Sequence, residues 1–166
     1  MFWQSLKKLL CSLLGCEQGS QEPEFDFQLD IMPRSAKEIT ATELKALLRD
    51  RFPRAEITLS NVKLGDPKFK LCHYDDIAVF LAQDDTNKMG YVAQETDCDD
   101  FAFRLKGQFS VPNWSGLCLG IIWTERHALN FCVDEEKRIW FIEPQLDELS
   151  LTLAPWQGGT PQWIAV

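Results

Sequence analysis

The sequence is short of positive charge. Against 25 acidic residues it sets 17 lysines and arginines, a formal net charge of −8 over 166 residues. Nucleic-acid binding rests on neutralising phosphates with Lys and Arg, so a general affinity for DNA or RNA is excluded. Long apolar runs are missing too, and no stretch approaches the ~18 residues that a membrane-spanning helix needs. The cysteines Cys11, Cys16, Cys72, Cys98, Cys118 and Cys132 form no CxxC pair. Their even number alone makes no disulfide framework in a chain of this size, and the plain reading is reduced, mostly buried thiols in a cytoplasmic protein. Internal repeats and low-complexity segments are absent. Histidine is scarce, with only His73 and His127, so any search for a general base is short.

What is present fits one domain, since 166 residues with 45% hydrophobic content support a single core. Residues 1–20 form an amphipathic segment, with Phe2, Trp3, Leu6, Leu9, Leu10, Leu13 and Leu14 on one helical stripe. Three readings of it compete: a helix packed on the core, an interfacial helix touching a membrane through residues 2–14, or a signal ending at a lipoprotein-like site at Cys16. The last would make the protein an exported lipoprotein acylated at Cys16. Residues 21–33 are polar and read as a linker, and residues 34–166 as the folded domain. Within it, Thr40 and Glu43 make a capping box for a helix through about Arg51. Asp75–Gln83 carries Ile77, Phe80 and Leu81 at helical spacing. AEITLSNV alternates like a strand, and LCLGIIW, HALNFCV and RIWFIEP are rich in β-branched and aromatic residues. Helices followed by strands predict an α+β domain, its helices packed on an antiparallel sheet.

The stretch TDCDDFAFRL places Cys98 among aspartates at the start of a helix, because Cys98, Phe101, Ala102 and Leu105 share one face. Thr96 or Asp97 serves as N-cap, with Asp99 or Asp100 in the first turn. A helix N-terminus favours a thiolate, while neighbouring carboxylates oppose it. A thiol here is either a nucleophile whose acids are neutralised or a plain core cysteine. His127 opens the strand HALNFCV and is the better base, whereas His73 reads as a surface or capping residue. Glu143 ends the apolar strand RIWFIE, either as a solvated strand-end acid or as the group that orients His127. The two project from one side of a hairpin only for a turn such as Glu135–Lys137 with Asp134 opposite Arg138; a two-residue turn would separate them.

DCDDFAF, HALNF and FIEPQ, in that order, resemble the papain-like cysteine-protease domain at the C-terminus of a mushroom (Marasmius-type) agglutinin and of small agglutinin-related phage and bacterial proteins. The resemblance covers about residues 86–147. It implies a papain-like α+β fold and a cysteine hydrolase of peptide or amide bonds, with Cys98 as nucleophile, His127 as base, Glu143 as orienting acid and a protein or peptide as substrate. It also implies dependence on Ca2+ or Mn2+, held by Asp99 and Asp100 with Gln145 close by. For the oxyanion, the Cys98 backbone amide is the natural donor and the Gln94 side chain a weaker one. The sugar-binding β-trefoil of the mushroom protein has no room before Cys98, so lectin activity is not implied. The alternative is a non-catalytic interaction protein that binds a partner on the same scaffold.

Overall fold

A computed structural model describes residues 32–53, 61–156 and 159–166. The amphipathic segment 1–20, with Cys11 and Cys16, and most of the linker lie outside the described residues. So do residues 54–60, the start of the expected strand AEITLSNV. Among the described residues no helix is long and apolar enough to cross a membrane.

The chain opens with β1 (Glu38–Thr40), which runs straight into α1 (Ala41–Arg51). Thr40 caps this helix as its sequence predicts. Its Oγ1 accepts from the Glu43 N–H at 3.2 Å, and Glu43 returns a carboxylate oxygen to the Thr40 N–H at 2.9 Å, satisfying two otherwise unpaired donors. Strands β2 (Val62–Lys63) and β3 (Lys68–Lys70) precede α2 (Tyr74–Gln83) and α3 (Cys98–Gln108). Then come β4 (Leu119–Thr124), β5 (Ala128–Val133), β6 (Ile139–Glu143), β7 (Glu148–Ser150) and β8 (Pro161–Ala165). A six-stranded sheet in the order β2-β8-β4-β5-β6-β7 forms the body of the domain, and β1 pairs with β3 in a separate ribbon.

The expectation of a papain-like α+β domain, with N-terminal helices packed on an antiparallel sheet, needs correction: the domain is mostly β-sheet with few helices. A strand precedes α1 and two more stand between α1 and α2, and the sheet is mixed because β2 runs parallel to β8. The physical reason is length: β1, β2 and β3 hold two or three residues each, too few for a period of two to show in the sequence.

Alternation along the strands divides the core. Leu129, Phe131 and Val133 of β5 join Leu44 and Leu48 of α1 and Phe141 of β6 on one face. On the other, Cys132 and Ile142 meet Ile77 and Phe80 of α2 and Leu105 of α3. A third cluster sets Ala102 of α3 against Ile121 and Ala128, with Cys98 and Trp123 packed beside it. Asn130, wholly buried, points the same way and donates to Ala102 O at 3.0 Å. Cys72, Cys98, Cys118 and Cys132 are free, and all but Cys98 are buried.

Candidate functional site: a cleft at the end of the central hairpin

The β5–β6 turn has the three-residue form that the sequence required. Val133 faces Ile139 and Asn130 faces Ile142, and the Asp134 N–H donates to Arg138 O at 3.1 Å. Lys137 takes the positive φ of 60° that closes this turn. Asp134 Oδ1 stiffens it by accepting from the N–H groups of Glu136 and Arg138. In this register Glu143 lies opposite Leu129, and His127 one step further along. The imidazole Nε2 sits 2.5 Å from Glu143 Oε2, with both side chains mostly shielded from water. His127 is fixed from behind as well, since its backbone N–H donates to Thr124 Oγ1 at 3.0 Å in the tight β4–β5 turn.

Beside this pair opens a cleft of about 310 Å³ lined by Arg126, His127, Glu143, Gln145, Leu146 and Trp156, with Pro155 at its edge. The Gln145 backbone N–H donates to Glu143 Oε1 at 3.2 Å. Glu143 therefore uses one oxygen on the imidazole and the other on the following turn.

Cys98 occupies the first position of α3, with Asp97 as N-cap. It packs beside Ala102 of its own helix and against Ile121 and Ala128 of β4 and β5. The Cys98 sulfur accepts from the Ala128 backbone N–H. Burial raises the thiol pKa above its ordinary value, the Ala128 hydrogen bond lowers it in part, and the charges of Asp97 and Asp99 raise it further. The thiolate is disfavoured.

The acids around Cys98 are organised differently from the expected metal set. Asp100 Oδ2 accepts from the Asp97 N–H at 3.1 Å and so belongs to the helix cap. Gln145 lies in the cleft. Asp97, which sequence reasoning treated only as a cap, joins Cys98 and Asp99 in bringing one potential ligand atom each within 4.8 Å of the others. The mutual hydrogen bond of Asp97 and Asp99 lowers the Asp97 carboxyl and raises that of Asp99. The two carboxylates suit a hard cation, while the sulfur suits a softer one. Gln94 has a positive φ of 65° in the preceding loop, and its backbone N–H donates to Asp97 Oδ2 at 3.2 Å. His73 precedes α2 as its N-cap, with no side-chain capping bond.

No protein-family model and no curated protein matches the chain. Solved structures do. PSL1a in complex with E64 is 20% identical with a TM-score of 0.65, over 78% of this chain and 50% of that one. The lectin of Polyporus squamosus bound to the human-type influenza-binding epitope Neu5Acα2-6Galβ1-4GlcNAc is 19% identical with a TM-score of 0.60, over 78% of this chain and 49% of that one. The chain shares its fold with part of a fungal lectin. It spans about half the length of each of those chains. The agglutinin side of the expected resemblance therefore stands in its coarse form.

The expectation of a cysteine hydrolase of peptide or amide bonds is corrected, and with it that of a protein or peptide substrate. The solved structures that share the fold include a lectin bound to a glycan epitope.

Proposed function

We propose that the domain is a non-catalytic binding module whose ligand seats in the cleft bounded by Arg126, Gln145 and Trp156. One observation carries this reading: the His127–Glu143 pair borders a cleft lined by charged, polar and aromatic side chains. The lining combines an indole edge, a leucine and a proline with a guanidinium, an imidazole, a carboxylate and a primary amide. A concave, partly apolar surface with a few convergent polar groups is the usual form of a ligand site. Planar donors and acceptors around an aromatic ring suit a ligand rich in hydroxyl and amide groups, the chemistry of a glycan, and the solved glycan complex of the fungal lectin supports that class. A Ca2+ or Mn2+ ion beside Cys98 would be held by Asp97 and Asp99, the oxygen donors of that cluster.

The test is a glycan array, followed by titration calorimetry on any hit. Arg126→Ala and Gln145→Ala should weaken binding, while Cys98→Ala should leave it unchanged. Thiol-dependent turnover of any substrate, abolished by Cys98→Ala, would overturn the reading.

A further inference from the structure

Away from the cleft and from the acids around Cys98, three oxygen atoms lack partners at the junction between the segment that follows α2 and the β6–β7 turn. Asp84 is only 2% exposed and Thr86 is wholly buried. Asp84 Oδ1 accepts from the Thr86 N–H at 2.8 Å, while Asp84 Oδ2 is buried without a hydrogen-bond partner. Thr86 Oγ1 and Asp147 Oδ1 are in the same state. The other Asp147 oxygen is satisfied, since Asn87 Nδ2 donates to it at 2.5 Å, so it is the inner oxygen that is left over. Buried polar atoms nearly always find partners, and each exception asks for an explanation. Three of the four exceptions among the described residues fall at this junction, the fourth being Asn130 Oδ1 in the core, and two of the three belong to carboxylates.

The charges agree with the geometry. Burial and then the neighbouring charge of Asp84 push the Asp147 carboxyl up to about 6. The ammonium of Lys88 acts on both acids, yet its hydrogen bond goes to Asp85 at 2.5 Å. Two carboxylates therefore meet in a low-dielectric place with no cation between them, an arrangement that costs free energy unless something positive joins it.

We infer that Asp84, Thr86 and Asp147 form a binding site for one hard divalent cation of the calcium class, through Asp84 Oδ2, Thr86 Oγ1 and Asp147 Oδ1. All three donors are oxygen, which selects Ca2+, Mg2+ or Mn2+ over zinc or copper, and water completes the shell. The ion would tie the segment after α2 to the turn that carries Gln145 and Leu146. Occupancy would thus hold one wall of the cleft. The inference does not depend on what the cleft binds, nor on whether Asp97 and Asp99 take a metal.

The test uses the full chain stripped with EDTA, titrated calorimetrically with CaCl2 and with MnCl2, and followed by thermal melting. Wild type should bind an ion and melt higher with it. Asp147→Asn should weaken that binding by more than about tenfold, yet melt no lower than wild type in EDTA, because it removes one of two opposed charges. Thr86→Val keeps both charges and the side-chain volume and should also weaken the ion. The double variant Asp97→Asn/Asp99→Asn should retain both the binding and the ion-dependent rise in Tm. Absence of binding in wild type would overturn the inference. So would binding that survives Asp147→Asn and Thr86→Val but disappears in the Asp97→Asn/Asp99→Asn variant.

Discussion

Asn130 Nδ2 lies 3.0 Å from Ala102 O, so the strand that starts just after His127 is bonded to the helix that starts at Cys98. The same amide reaches Gly120 O at 3.3 Å, bringing in β4. Asn130→Ala removes both bonds inside a closed core. The expected loss is about 1–3 kcal/mol of unfolding free energy, read by urea denaturation, with the cleft ligand still bound by the folded fraction. A variant as stable as wild type would show that α3 is held by its apolar face alone.

Cys98 should behave as a reluctant nucleophile. Its thiol pKa is raised above the ordinary 9.0 by burial, with Asp97 and Asp99 adding to the effect. Alkylation by iodoacetamide, followed by peptide mass spectrometry, should be slower at Cys98 than at free cysteine near neutral pH and should climb only in alkaline solution. Removing the acids with Asp97→Asn/Asp99→Asn should speed it. Fast reaction of Cys98 at neutral pH in the wild type would contradict the binding reading directly.

The Thr40–Glu43 box makes a prediction about acid. Glu43 has a carboxyl lowered from 4.5 to about 2, first by its hydrogen bond with the Thr40 backbone, then by the Thr40 hydroxyl and by Lys137. A depressed carboxyl contributes stability that is present above about 4.5 and is lost as pH falls from there toward about 2. Glu43→Gln should flatten the acid limb of a pH–Tm profile in that window. Thr40→Ala removes the cap itself and should cost about 1 kcal/mol at neutral pH.

Gly120 admits no side chain. A Cβ there would run into Ala165 O and stand 2.7 Å from the Phe131 ring and 2.8 Å from Val166. The obstacle on one side is backbone, which cannot rotate away. Gly120→Ala should therefore part β8 from β4 at a cost of about 1–3 kcal/mol or more, seen as a lower Tm and faster amide exchange at Ile164.

Several features could be read before any coordinates. Thr40 and Glu43 announced α1, the spacing of Ile77, Phe80 and Leu81 announced α2, and the pair Thr96 and Asp97 bracketed the start of α3, because caps and helical periodicity are local signals. The form of the β5–β6 turn could be stated as a condition, since the register of a hairpin follows from its loop. What stayed hidden is non-local or very short. Two-residue β2 carries no period, and its pairing with β8 spans most of the domain. The neighbours of Cys98 follow from the packing of Ala102 against Ile121 and Ala128, which sequence spacing does not encode. Asp84, Thr86 and Asp147 look like ordinary polar loop residues until folding buries their oxygens together. The acids around Cys98 were visible, but their division of labour was not: Asp100 joins the helix cap while Asp97 and Asp99 are hydrogen-bonded to each other.

Strand β8 has a consequence for the order of assembly. Strands β4 to β7 are consecutive neighbours and form a meander from short-range contacts, whereas β8 must slot between β4 and β2. Its partners include Ile122 on one side and Val62 on the other, residues far apart in sequence whose approach carries a large closure entropy. Folding is thus expected to divide into a fast phase that builds the meander and a slower one in which β8 inserts and unites the two halves of the sheet.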